Sequence, residues 1–367
     1  MKHTLGLYPI AMEYLCDGML AEGNIYCFVD HKPVLMVKKG TYLTESSIKK
    51  ITHADSTFRN IYVPEAFYKK LHHLELPDSL QQGHLEKTIG YDVAKRQTTK
   101  LIHDVARTGT VSAAQTKLVA NGILKKLDTV TAALILQCIN GKNRVDEYLY
   151  THSTNVAFLN GLMAKWLHFS TEETSLLIAC GLMHDIGKVK IPADILYAPR
   201  ELCQQEFDVM KQHPLYSYEI LQCSPSIHPT IAMAARHHHE KMTGTGYPNG
   251  LSADDIPYFS RITAVSDIYD AMVSKRCYKN ACSPFEILEQ LSEGKFSDLD
   301  FPLTQVFLAN MPLELVGRSV LLSNGSIGVV RYVDSSNWLC PIVDVDGHVF
   351  ACDKSIFCVS VAFDAFT

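Results

Sequence analysis

Among the 367 residues there is no C-x-x-C pair, although the chain holds 11 cysteines. That absence argues against a zinc knuckle, and the odd count argues against a disulfide ladder. Most of these cysteines read instead as small apolar core groups in a reducing, cytoplasmic setting. No uncharged apolar run reaches the length of about 18 residues that marks a membrane-spanning helix. The opening residues, Met1-Lys2-His3-Thr4-Leu5, lead into no apolar core of secretory type. Positive charge is not in excess either. The formal net charge is −5, which gives no sign of a general binder of duplex nucleic acid. A polyanionic ligand would therefore need local basic residues or a metal. Tandem repeats, low-complexity segments and sensor patterns of receiver or transmembrane type are absent as well.

What is present is globular: 47% hydrophobic and 20% charged residues. The length suggests two to three domains, or one large core with appendages. Residues 1–95 read as a mixed α/β regulatory or interaction module. Residues 24–29 and 34–37 are β-branched and aromatic, and predict a hairpin around the four-residue loop Asp30-His31-Lys32-Pro33. A short helix from Thr44 to Ile51 and a third strand at 60–64 follow. His72-His73 reads as two exposed polar residues on a helix, since no further ligand lies nearby. Residues 96–140 read as connecting helices. Leu118, Ile123, Leu127, Leu134 and Leu136 recur at broadly helical spacing, with Gly109 as a break.

Residues 141–311 are nearly all helical in pattern. One helix is expected over 143–168, with Val156, Leu159, Met163 and Leu167 on its apolar face. Ser170-Thr171-Glu172-Glu173 matches a capping box and opens the next helix. Further helices are expected over 202–213, 217–223, 229–240 and 262–275, and another from Ser283-Pro284. Residues 312–367 turn to β. Three to five strands are expected, with Asn324-Gly325 and Asp346-Gly347 as hairpin turns. The fold class is mainly α, with a smaller α+β N-terminal module and a short β C-terminal extension.

Sixteen histidines occur, and eight of them lie from His152 to His239. His184-Asp185-Ile186-Gly187-Lys188 places two candidate ligands, a tight glycine and a cation in one turn at the end of an apolar helix. His213 is expected to end its helix, as are His237, His238 and His239. Asp267 and Asp270 are three apart on a helix and so share a face. Several helices thus each offer a His or Asp, which is how a bundle builds a dinuclear site. Imidazoles with carboxylates and no Cys suit iron, manganese or zinc with open positions. Two such ions lower the pKa of a water between them and offset charge on an in-line phosphoryl transition state. Taken singly, His168 or His228 reads as a core histidine with a hydrogen bond. The joint set reads as ligands, because burying it without metal would cost roughly 1–3 kcal/mol for each unsatisfied group.

Four segments carry a resemblance: HDIGKVKIPADIL at 184–196, MKQHP at 210–214, HHEKMTGTGYPNGL at 238–251 and RITAVSDIYDAMVSKRCYK at 261–279. Together they resemble the HD-GYP family of bacterial phosphodiesterases, members of the HD superfamily that hydrolyse cyclic dinucleotides, usually cyclic di-GMP. The resemblance covers residues 145–290 and implies an HD-type helical bundle. HD alone is a weak signal; the joint set, with Gly246-Tyr247-Pro248, is specific. It implies two divalent metal ions. One is held by His152, His184, Asp185 and Asp267; the other by Asp185, His213, His238 and His239, with Asp185 bridging. It also implies phosphate contact by Lys188, substrate contacts by Arg276 and Lys279, a supporting or proton-relay role for Asp270, and an entrance shaped by Tyr247. His237 falls outside the pattern.

Departures are also visible. Some members carry a Glu four residues before the first His and bind a third metal. Tyr148 stands there, and Glu147 is about 100° away around a helix, so two metals are expected. Thr243 replaces the more frequent Asp, and Met242 an aromatic, in the substrate-facing loop. That change bears on choice between cyclic di-GMP and hybrid cyclic GMP-AMP. The β tail and the N-terminal hairpin resemble modules that flank other members.

The expectation is a cyclic dinucleotide phosphodiesterase giving a linear dinucleotide or mononucleotide. Two other readings stay open: a catalytically weak effector that binds the nucleotide and acts on partners such as diguanylate cyclase domains, and an HD phosphohydrolase of another nucleotide. A homodimer through the helices after residue 96 is a further expectation.

Overall fold

The computed structural model describes residues 7–10, 21, 24–29, 32–41, 43–44, 61–64, 78–127, 148–198, 200–273, 284–334, 339–353 and 355–361. The chain divides into two compact units, one of residues 1–81 with 364–367 and one of residues 82–363.

In the first unit four strands form an antiparallel sheet of order β1-β4-β2-β3: β1 (Leu7–Ile10), β2 (Ile25–Val29), β3 (Lys32–Val37) and β4 (Ile61–Pro64). The hairpin is where the sequence places it, but its four-residue loop is not. The ladder continues through Phe28↔Pro33 to Val29↔Lys32. Pro33 is tolerated there because β3 is an edge strand, where a missing N–H need not break a ladder. The strand at 60–64 is β4, while β1 was not foreseen. The helix expected after Thr44 and the pair His72-His73 lie outside the described residues.

Helix α1 (Asp78–Thr108) starts in the last residues of the first unit and runs on into the second, which holds α2 (Ala113–Leu124), α3 (Tyr148–Trp166) and α4 (Thr171–Met183), then a 3-10 turn (Ile186–Lys190). There follow α5 (Ala193–Leu196), α6 (Gln204–Met210), α7 (His213–Gln222), α8 (Pro229–His237), α9 (Tyr258–Val273), α10 (Pro284–Ser292) and α11 (Phe301–Asn310). The domain boundary expected at 95/96 falls inside α1. Gly109 does end that helix, at φ 72°. Ile123 and Leu127 are buried as the spacing requires, but Leu118 is 62% exposed.

Helix α3 is the centre of the bundle and packs on α2, α4, α9 and α11. A helix apolar all round is a central one; here Val156, Leu159, Leu162 and Met163 are buried together with Thr151, Asn155 and Asn160. Asn160 Nδ2 is satisfied by Leu177 O and Thr263 Oγ1, each at 3.0 Å, which ties α3 to α4 and α9. The capping box opens α4: Ser170 Oγ accepts from Glu173 N at 3.2 Å, and Glu173 Oε2 accepts from Ser170 N at 2.9 Å.

His168 and His228 are not core residues, contrary to expectation. Both are exposed, His168 just after α3 and His228 at the N-cap of α8. His168 takes a left-handed φ of 57° after α3, with Phe169 N bonded to Ala164 O and His168 N to Lys165 O, the Schellman pattern. His228 caps α8, its Nδ1 accepting from Thr230 N at 3.2 Å.

The C-terminal β segment forms a five-stranded sheet of order β8-β7-β6-β5-β9, from β5 (Ser319–Leu322), β6 (Ile327–Tyr332), β7 (Ile342–Val345), β8 (His348–Ala351) and β9 (Cys358–Val361). Asp346 and Gly347 both have positive φ, 51° and 86°, as a two-residue hairpin of this kind requires. Val320, Leu322, Val330 and Val343 join the same buried cluster as the helices. Among the described residues no helix is long and apolar enough to cross a membrane.

Gly181 sets the closeness of α3 and α4. A Cβ there would lie 2.7 Å from Ala157 Cα. Gly181→Ala forces two backbones apart, and overpacking of this kind costs about 1–3 kcal/mol. A lowered thermal unfolding midpoint, followed by circular dichroism, is the expected result.

Candidate metal centre

Asp185 lies at the start of the 3-10 turn after α4, wholly buried. The turn can form because Gly187 has no side chain: a Cβ would meet His213 O at 2.1 Å and Ser217 N at 2.4 Å. Ser217 Oγ accepts from Gly187 N at 2.8 Å and donates to His184 O at 3.0 Å. The turn is thereby pinned to the first part of α7. His213 begins α7 rather than ending the preceding helix. Pro214 explains this, since proline suits the first turn of a helix.

The two carboxylate oxygens of Asp185 face different groups. Oδ2 lies 3.4 Å from Nε2 of both His152 and His184. Asp267 Oδ1 closes that side, 3.0 Å from His152 Nε2 and 3.8 Å from His184 Nε2. Oδ1 lies 3.1 Å from His213 Nε2 and 3.8 Å from His238 Nε2. His239 completes the second side, and its Nδ1 lies 3.8 Å from Asp267 Oδ2. Two groups of donors that can hold a metal ion result: His152, His184 and Asp185; and Asp185, His213, His238 and His239.

The tautomers can be read from the other ring nitrogens. Nδ1 of His184 bonds Gly181 O at 2.8 Å, Nδ1 of His213 bonds Met210 O at 2.8 Å, and Nδ1 of His238 bonds Ala235 O at 2.9 Å. His152 Nδ1 bonds Asp270 Oδ2 at 2.6 Å. A carbonyl or carboxylate only accepts, so each Nδ1 carries a proton and, in the neutral ring, each Nε2 is a lone pair. The lone pairs of His152 and His184 then face each other at 3.2 Å, and those of His213 and His238 at 3.4 Å. Asp185 Oδ1, buried, receives no hydrogen bond. Facing lone pairs repel, and a cation among them removes the repulsion. The donor set therefore fits metal, and the Nδ1 contacts are the partners that orient ligating imidazoles.

Charge supports the same geometry. Burial opposes ionisation of Asp185, but the Lys188 ammonium beside it holds its carboxyl well below the usual range. Burial pushes His213 down, and His238 well down. His239 is pushed down to about 3, again chiefly by burial. Neutral imidazoles and ionised carboxylates are the forms that bind metal. Lys188 Nζ lies 2.5 Å from Asp185 Oδ2 and is partly exposed.

The remaining expected residues divide. Asp270 is buried and touches His152 through one oxygen while Asn155 Nδ2 donates to the other at 2.8 Å. Tyr247 stacks on His239, with centroids 4.7 Å apart, and its N–H donates to His239 O at 3.2 Å. Burial raises its phenol above the ordinary range. Thr243 is exposed, its hydroxyl paired with Thr245 at 2.9 Å. Arg276 and Lys279 lie outside the described residues, as does Glu147. His237 is buried with Nδ1 3.6 Å from Glu240 Oε1, away from the two donor groups.

Sequence reasoning missed Glu240, Lys211 and Asn155. Glu240 is buried and its two oxygens accept from Asn249 N at 2.7 Å and Leu251 N at 3.0 Å, which clamps the loop that carries Tyr247. Its place directly after His239 was the available signal. Lys211 lies over the rings of Phe207 and Tyr247, 4.8 and 5.9 Å from their centroids. Asn155 is three residues after His152, one helical turn along the same face.

A family model described as HD domain matches residues 137–301. Cyclic di-GMP phosphodiesterase PA4108 of Pseudomonas aeruginosa is 33% identical over 200 residues, covering 54% of this chain and 48% of the relative. The 3'3'-cGAMP-specific phosphodiesterase 2 of Vibrio cholerae is 37% identical over 158 residues, 43% of this chain and 30% of the relative. The chain thus spans half or less of the length of these curated relatives. Among solved structures, Bd1817, an HDG"Y"P protein from Bdellovibrio bacteriovorus, has a TM-score of 0.49 at 16% identity, over 82% of this chain and 97% of that one.

Residues 137–301 are an HD domain. With the motifs above and these relatives, the domain belongs to the HD-GYP family.

Glu240→Ala removes the buried carboxylate that accepts from Asn249 N and Leu251 N, two part-buried bonds to a charged group worth about 1.5–3 kcal/mol each. Faster limited proteolysis within residues 241–252, with the rest of the fold intact, is the expected outcome.

Proposed function

We propose that this chain is a metal-dependent phosphodiesterase that hydrolyses cyclic dinucleotides, cyclic di-GMP first and hybrid cyclic GMP-AMP second, to a linear dinucleotide. The observation that carries the reading is Asp185, buried between two sets of imidazole lone pairs with one oxygen toward each. The printed names of the relatives, phosphodiesterases of cyclic di-GMP and of 3'3'-cGAMP, support the substrate class.

In this reading His152, His184, Asp267 and Asp185 would hold one divalent ion, and Asp185, His213, His238 and His239 would hold the other. When bound, iron or manganese would supply a water of lowered pKa and neutralise charge on the transferring phosphate. Lys188, already beside Asp185, meets a phosphate oxygen of the substrate. Asp270 holds His152 in its tautomer. Tyr247, fixed on His239, bounds the entrance; Lys211 on the same rim adds positive charge. Arg276 and Lys279 contact phosphates or bases, and Thr243 bears on which base is preferred. The N-terminal unit is a regulatory or interaction module, with diguanylate cyclase domains as one class of partner. Self-association through the helices after residue 96 belongs to the same reading. The free cysteines among the described residues support a reducing, cytoplasmic setting.

The test is anaerobic turnover of both cyclic dinucleotides by the full chain loaded with iron or manganese, with products resolved by chromatography. Linear product is expected from the wild type and none from Asp185→Ala at unchanged helical content. Lys188→Ala should lower kcat by roughly 10²–10³-fold, the usual loss for one charge-stabilising donor. Full activity of Asp185→Ala contradicts the reading, and nucleotide binding without product moves it to an effector.

A further inference from the structure

One polar chain leads away from the metal centre into α1. His152 Nδ1 donates to Asp270 Oδ2 at 2.6 Å, Asn155 Nδ2 donates to Asp270 Oδ1 at 2.8 Å, and Tyr91 Oη donates to Asn155 Oδ1 at 2.5 Å. All four side chains are buried, with Tyr91 3% exposed and the others 2% or less.

The directions of these bonds are forced. A carboxylate has no proton to give, so Asp270 accepts from both His152 and Asn155. Asn155 must then turn its carbonyl away from Asp270, and only a donor satisfies it there. The Tyr91 hydroxyl is that donor. If the hydroxyl is lost, the Asn155 carbonyl is buried and unbonded, and the amide gains a reason to rotate. Rotation would place an acceptor against the Asp270 carboxylate and loosen its hold on His152. The hydroxyl therefore acts on the tautomer and aim of a candidate ligand three bonds away.

The ring of Tyr91 is held by other means. It stacks on Phe158 with centroids 5.8 Å apart and an interplanar angle of 26°. Tyr91, Ala94, Thr98, Leu101, Ile102 and Val105 form a buried stripe of helical spacing along α1. Packing fixes the helix, while the hydroxyl adds one directional bond toward the site. Packing alone needs no hydroxyl here, since phenylalanine would fill the same space.

We propose that Tyr91 is a positioning residue for the metal pocket on the Oδ2 side of Asp185, acting through Asn155 and Asp270 on His152. This rests on the two-metal reading above. It also makes α1, which begins at Asp78 within the last residues of the N-terminal unit, a lever on one pocket and not on the other. The His213, His238 and His239 side has its own orienting contacts on Met210 and Ala235 and shares no bond with Tyr91.

The experiment is calorimetric titration of chelator-stripped full-length protein with manganous ion. Wild type, Tyr91→Phe, Asn155→Ala and the double variant are compared, each also in a His213→Ala background that disables the opposite pocket. Two binding events are expected in the wild type. Tyr91→Phe should weaken one of them by roughly 10-fold, the lower end for loss of a group that orients a ligand, and leave the other within twofold. The weakened event should be the one that survives in the His213→Ala background. The double variant should bind no more weakly than Asn155→Ala alone, because the proposed route from Tyr91 to His152 runs through Asn155.

Two ions bound by Tyr91→Phe with wild-type affinities overturn the coupling and leave the two-metal reading standing. So does an equal loss at both pockets, or a Tyr91→Phe effect that persists in full without Asn155. A wild-type protein that takes up no manganese overturns the two-metal reading and the coupling with it.

Discussion

The structure depends on a carboxylate that cannot be satisfied by protein alone. Asp185 is fully buried, and four imidazole nitrogens within 3.1 to 3.8 Å of its oxygens present lone pairs rather than protons. Each of those rings has given its only proton to a carbonyl or to Asp270. Lys188 answers one oxygen of Asp185 and leaves Oδ1 with no hydrogen bond. Buried polar groups in this state cost stability, and the two donor groups around Asp185 are of a kind that can hold metal ions.

The helices serve that requirement by their ends. His184 and Asp185 follow the last residue of α4, His213 opens α7, and His238 and His239 follow α8. At such positions the imidazoles of His184, His213 and His238 each reach back to a carbonyl three residues earlier, and this sets their tautomers without further side chains. Only His152 sits inside a helix, where the carbonyls are taken by the helix itself. It needs a carboxylate instead, and Asp270 on α9 provides one. The absence of a Cβ at Gly181 and at Gly187 lets α3 approach α4 and the turn approach α7. The close packing of small residues is thus a condition of the ligand geometry.

Much of this was legible in the sequence, because ligands at helix ends leave short, dense motifs. His184-Asp185 after an apolar run, the His cluster before Glu240, and Asp267 with Asp270 at helical spacing are local patterns. The capping box at Ser170 and the Asp346-Gly347 turn were legible for the same reason: each joins residues within one turn. What was missed depends on distance or on competing local rules. Pro214 moves His213 from the end of one helix to the start of the next. His168 and His228, read as core residues, are exposed helix-terminal groups, the first serving by its backbone and the second by a capping ring nitrogen. Tyr91 and Asn155 are 64 residues apart, and no local spacing links them. The hairpin loop was drawn too long because Pro33 reads as a break unless β3 is known to be an edge strand.

The most direct test of the central claim is anomalous diffraction from crystals of the manganese-loaded protein. Two peaks are predicted, one among His152, His184, Asp267 and Asp185 Oδ2, the other among His213, His238, His239 and Asp185 Oδ1. A single peak, or none, with Asp185 bonded to Lys188 alone in metal-replete protein, would contradict the account.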